Sequence, residues 1–136
     1  MKMLAIYSIL FLSCAVNSKT VIGSYKSEVP SFLNNLFTTN CYLKNLSIEL
    51  FKDSTFKYNS CAQVSEGNWW VVEDTLFMKC QSIKFIEEKF NNDPQYTKGL
   101  ICYSEVEYFL IKNNKLKSTI TVNKKKCSIT LSKENN

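Results

Sequence analysis

The chain has 136 residues, of which 45% are hydrophobic and 21% charged, and it carries a net charge of +5. That length suits one domain, and the balance excludes both a disordered polymer and a multi-domain assembly. Histidine is absent, which removes Ser-His-Asp and Cys-His catalytic sets and most zinc sites. Thr, Ile, Val, Tyr and Phe are plentiful, and this mix favours strands. The lysines are dispersed apart from Lys124, Lys125 and Lys126, a run that reads as a solvated turn and not as a nucleic-acid patch.

The N-terminus has the anatomy of an export signal. Lys2 supplies the positive end, Met3 to Leu12 the short apolar run, and Ser13, Ala15 and Ser18 the small residues of a cleavage region. The run is too short for a stable membrane span. Residues 1–18 are therefore expected to be a signal peptide and 19–136 the folded domain, secreted or periplasmic. Leu12-Ser13-Cys14 is a loose lipoprotein box, so an outer-membrane lipoprotein acylated at Cys14 is the alternative.

Beyond the signal, Thr20–Ser27 makes a first strand that Glu28-Val29-Pro30 breaks. Ser31–Phe37 places Phe32, Leu33, Leu36 and Phe37 at helical spacing. Leu46, Ile48 and Leu50 alternate with polar residues, the period-two mark of a half-buried strand. Lys52-Asp53-Ser54 turns the chain, and Phe56 and Tyr58 mark the next strand. After Ser65-Glu66-Gly67, Trp69 and Val71 form one face and Trp70 and Val72 the other. Glu73-Asp74 is a hairpin turn, and Leu76, Met78 and Cys80 point inward after it. Glu87–Tyr96 reads as a polar loop broken at Pro94. Strands resume from Lys98, with Cys102, Val106, Tyr108 and Leu110 sharing a face. Asn113-Asn114 is a hairpin turn, Leu116, Ile120 and Val122 mark a strand, and Cys127, Ile129 and Leu131 mark the last. Eight or nine strands in antiparallel sequence, with no βαβ spacing, predict an all-β fold. Closure removes exposed edges, so the expectation is a single up-and-down β-barrel of about eight strands with a short helical segment near the N-terminus.

Two strings carry a resemblance. Ser47-Ile48-Glu49-Leu50-Phe51-Lys52-Asp53-Ser54-Thr55-Phe56-Lys57-Tyr58, followed by Gly67-Asn68-Trp69-Trp70-Val71-Val72-Glu73-Asp74-Thr75-Leu76, resembles small bacterial lipocalin-like domains of the Bacteroidetes type. These are exported proteins or lipoproteins. The resemblance covers Leu46 to Cys80 and rests on structural positions. Gly23-Ser24-Tyr25 stands where such domains often have Gly-x-Trp. What it implies is a lipocalin-like barrel, and many such domains have no known ligand.

No cofactor or metal is expected, and no convergent acid–base set supports an enzyme. Glu105 and Glu107 are assigned to the solvated face. Phe56, Tyr58, Trp69, Met78 and Tyr108 are the candidate ligand-binding residues, an apolar cavity with tyrosine hydroxyls as its polar groups. The same residues would serve as a filled core. Strand parity predicts a Cys41–Cys61 bridge and turns Cys80, Cys102 and Cys127 inward. Cys80–Cys102 would clamp the Gln81–Gly99 connection, and Cys102–Cys127 is the competing pair. Trp70 points outward beside Val72. The functional expectation is a non-enzymatic exported protein that binds a small apolar ligand or lipid in its barrel. The alternative is a solid-core interaction module whose outer surface binds a protein partner. Were the origin eukaryotic, Asn45-Leu46-Ser47 would be a glycosylation sequon.

Overall fold

A computed structural model describes residues 18–28, 46–60, 62–102, 106–122 and 124–135. The expected signal peptide (apart from Ser18), Cys14, the expected Ser31–Phe37 helix, Asn45, Glu105 and the expected Cys41–Cys61 bridge lie outside them. Eight antiparallel strands close into a barrel in sequence order. They are β1 (Gly23–Ser27), β2 (Ser47–Leu50), β3 (Thr55–Ser60), β4 (Gln63–Val72), β5 (Thr75–Phe85), β6 (Glu107–Lys112), β7 (Lys115–Val122) and β8 (Lys125–Lys133). Pairing of Tyr25 with Lys133 and of Ser27 with Leu131 closes the ring. No helix among the described residues is long and apolar enough to cross a membrane.

Alternation decides which side chains point in. Leu46, Ile48, Leu50, Phe56, Leu76 and Met78 are all buried, as their period-two spacing predicts. Tight turns fix the register. The Glu73-Asp74 hairpin pairs Val72 with Thr75, and Asn113-Asn114 pairs Lys112 with Lys115. Both asparagines have positive φ, 52° and 58°, the conformation a two-residue hairpin needs and one that asparagine tolerates. At the third turn Asp53 accepts hydrogen bonds from the Thr55 amide (3.1 Å) and hydroxyl (2.6 Å), which draws its carboxyl below the usual range.

These three turns crowd one end of the barrel. A single helical turn, α1 (Ser18–Val21), enters β1 there and inserts Val21, 1% exposed, into the core. The Tyr25 hydroxyl donates to the Val21 carbonyl at 2.7 Å, and burial pushes its pKa up to about 12. Trp69 seals the same end. Its indole N–H donates to the Phe51 carbonyl at 3.1 Å, and its ring is 5% exposed. This closed end therefore holds large apolar side chains whose few polar atoms are paired.

Along β4 and β5 the ladder slips once. Glu66 pairs with Ser82 while Gly67 pairs with Cys80, so Gln81 is an extra residue bulged out of β5. A Cβ on Gly67 would stand 2.0 Å from the Lys79 carbonyl oxygen and 3.0 Å from the Phe56 ring. Only glycine permits that approach. The bulge also changes the strand's phase. Leu76, Met78 and Cys80 face inward before it, and Ile83 faces inward after it.

At the opposite end β3 passes to β4, and β7 to β8, across two residues each, whereas β5 reaches β6 by a long connection. Glu87–Tyr96, expected as a polar loop, contains two single helical turns, α2 (Glu88–Asn91) and α3 (Pro94–Thr97). Phe85, Phe90 and Tyr96 meet edge to face there, with Phe90 and Tyr96 4.9 Å apart. The Asn91 side chain clasps both the Phe85 amide (2.8 Å) and carbonyl (2.9 Å). Asp93 caps α3 by accepting from the Gln95 amide at 2.8 Å. Strand β6 starts at Glu107, later than the predicted resumption at Lys98, and β8 already includes Lys125 and Lys126 of the expected turn.

Candidate functional site

Strand β6 departs from its predicted parity. Tyr108 and Leu110 were assigned inward, yet they are 58% and 51% exposed, while Phe109 is 3% exposed. The segment Tyr108-Phe109-Leu110-Ile111 is apolar at every position, so it offers no alternation to read. Pairing decides instead: Phe109 lies opposite inward Leu76, and Ile111 opposite inward Leu116. Directly opposed residues share a face. Glu107 therefore stands on the inner face, opposite Met78, and not in the solvated ladder expected of it.

This correction exposes the site. β5 pairs with β6 only over Thr75–Met78. Beyond Met78 the two chains diverge, and a cavity of about 220 Å³ opens between β3, β4, β5 and the segment leading to β6. Phe56, Met78, Ile83 and Ile101 give it apolar walls. Tyr58, Ser60, Gln63 and Ser65 give it a polar rim, and Glu107 is its charged group. The cavity is smaller than the range of about 300–1,000 Å³ common for ligand pockets, so it suits a compact molecule and not a long acyl chain.

A disulfide holds the gap's outer edge. Cys80 on β5 is bonded to Cys102, with Cα atoms 5.5 Å apart, the first of the two pairings that parity allowed. Both residues line the cavity, and the bond anchors Ile101 beside it. Cys127 is also disulfide-bonded.

Glu107 retains solvent access at the mouth, but partial withdrawal from water pushes its carboxyl pKa up. The described ion pairs lie elsewhere: Lys26–Glu134 at 2.6 Å, Lys89–Glu87 at 2.7 Å, and Lys115–Glu28. Among the described residues, no group of three His, Cys, Asp or Glu side chains could hold a metal ion.

Of the five ligand-binding candidates, Phe56, Tyr58 and Met78 line the cavity. Trp69 belongs to the closed end, and Tyr108 lies on the outside. Glu107 was missed, along with Ile83 and the Ser60–Gln63–Ser65 rim. A signal for Glu107 was present. A two-residue turn at Asn113-Asn114 pairs 111 with 116, so an inward Leu116 forces Ile111, Phe109 and Glu107 inward. Trp70 does point outward as expected, 40% exposed and stacked on Phe77 at 5.7 Å.

Compared with known proteins, the chain matches no family profile, no curated sequence and no solved structure.

Proposed function

We propose that the protein is an exported, non-enzymatic, lipocalin-like barrel that binds one small, largely apolar molecule at its open end. The observation that carries this reading is the asymmetry of the barrel. One end is stoppered by Val21, Tyr25 and Trp69, whereas the other holds a cavity of about 220 Å³ with apolar walls and a polar mouth. Barrels of about eight strands are wide enough for filled side chains or one small ligand. Binding is favoured over catalysis because, among the described residues, Glu107 shares the cavity with no second carboxylate and no amine, and general acid–base work needs a matched partner. The disulfide at the rim suits an oxidising compartment, which supports export. The likeness to bacterial lipocalin-like domains enters here as a reading of the Leu46–Cys80 stretch.

The test is an NMR titration of the oxidised protein with a compact neutral probe, 2-phenylethanol. Saturable shifts at the Met78 methyl and the Ile83 side chain, with Trp69 unmoved, would support the reading. Shifts that never saturate, or that scatter over the surface, would end it.

A second reading, a protein-interaction surface, has its own observation. Trp70, Phe77 and Tyr108 lie in one cross-strand row on the outer face, next to the exposed Val72 and Leu110. Clustered exposed apolar groups often mark contact sites. If this surface is the functional one, sedimentation should show association that the double change Trp70→Ser, Tyr108→Ser disperses. A monomer at every concentration with no change between the two forms would count against it.

A further inference from the structure

We propose that the open-end cavity selects a compact cationic ligand, an aromatic or aliphatic amine, whose ammonium group is held by Glu107. This deepens the small-ligand reading and depends on it. The geometry supplies both halves of such a ligand's complement. Phe56 and Met78 form an apolar floor, Ile83 and Ile101 apolar walls, and Glu107 stands opposite Met78 where floor meets mouth. Among the described residues no lysine lines the cavity, and besides Glu107 the titratable side chain facing it is Tyr58, since Cys80 and Cys102 are bonded to each other.

A carboxylate at the edge of an apolar cavity, with no ion pair to another described residue, is favoured in its ionised form by a cation placed beside it. The direction of its pKa agrees: desolvation by burial raises it. Ammonium–carboxylate contacts are charge-assisted and stronger than neutral hydrogen bonds. The protein's overall charge sharpens the argument. A chain of net charge +5 attracts anions at long range, so a preference for cations must come from a local group.

The experiment compares three probes of one shape on the oxidised protein: phenethylamine, 2-phenylethanol and phenylacetate, each titrated by NMR at pH 7. The amine is expected to bind about tenfold tighter than the alcohol, the increment of a charge-assisted hydrogen bond, and phenylacetate weakest. Glu107→Gln should erase the amine's advantage over the alcohol. Glu107→Asp, which keeps the charge, should restore part of it. Acidification to pH 4 should weaken the amine alone. If the alcohol binds and the amine binds no tighter, or Glu107→Gln keeps the preference, charge selection is overturned while the small-ligand reading stands. If none of the three binds, both fall. Cooperative thermal unfolding of each variant excludes misfolding as the cause.

Discussion

At the turn end of the barrel, Trp69, Leu76 and Leu116 sit in a dry core with every polar atom paired. A few residues along the same strands, Met78 and Phe56 face a cavity that also holds Glu107 and the Ser60–Gln63–Ser65 rim. The strands are shared, so the difference comes from what joins them. Short turns bring neighbouring strands together to their last residue, and α1 fills what remains. The β5–β6 connection instead lets its strands separate after Met78 and bridges them with one disulfide. A barrel can thus keep stability at one end and recognition at the other, because packing is local and a void at one end leaves the other end's contacts in place.

That division is open to attack by substitution. The largest effect belongs to the closed end. Trp69→Ala removes a buried ring and its hydrogen bond to Phe51, and should lower stability by about 3–5 kcal/mol in urea unfolding. If 2-phenylethanol still binds with its wild-type affinity below the transition, the two ends are independent. Loss of binding would show that the stopper also shapes the cavity.

Replacing Cys80 and Cys102 together with serine should cost about 3 kcal/mol, the loop-closure value for their separation of 22 residues. Hydrogen exchange locates the damage. Amides of Ile101 and of the 81–86 stretch should lose protection, while those around Leu76 and Leu116 should keep it. Uniform loss would merge the two ends into one cooperative unit.

Gly67→Ala should cost about 1–3 kcal/mol, since the methyl meets the Lys79 carbonyl. The bulge lies between the ends, so both core protection and cavity shape should suffer. An effect confined to one end would move the boundary.

The smallest change is at Glu107, and its sign is opposite. Its folded-state pKa is raised, so the folded protein holds this proton more tightly than the unfolded chain does. The group's contribution is most favourable below the ordinary carboxylate pKa and is lost as pH rises through the raised value. Glu107→Gln should therefore melt slightly higher than the wild type at pH 7, and the gap should close on acidification. Glu28 titrates the other way. Hydrogen bonds from Lys115 and Ser132 lower its pKa, so any stability it adds is present at neutral pH and lost in acid.

What was legible in the sequence follows the same boundary. Leu46 to Met78 alternates cleanly between tight turns, and its facing was readable residue by residue. Trp70 outward and Trp69 inward came from parity alone. The Cys80–Cys102 pair was among the readable options because inward parity restricted the choices. The open end was harder for physical reasons. α2 and α3 are single turns held by Phe85, Phe90 and Tyr96, contacts between residues too far apart in sequence for local pattern to register. β6 is apolar on both faces, since its outer face carries Tyr108 and Leu110 beside Trp70 and Phe77. Its orientation was encoded one hairpin away, in Asn113-Asn114 and Leu116.

The bulge at Gln81 gives β5 two reading frames. Before it, even-numbered residues look into the barrel; after it, Ile83 keeps that view from an odd-numbered position. Were Gln81 instead taken into the ladder opposite Glu66, everything downstream would shift by one, carrying Ile83 outward and Lys84 into the cavity's wall. A designer wishing to enlarge the mouth must therefore count from the correct side of Gln81. Deleting Gln81, by contrast, would leave Ser82 opposite Glu66 and Ile83 opposite Ser65 in an unbroken ladder, so the cavity's lining would survive the loss of the residue that breaks the strand's numbering.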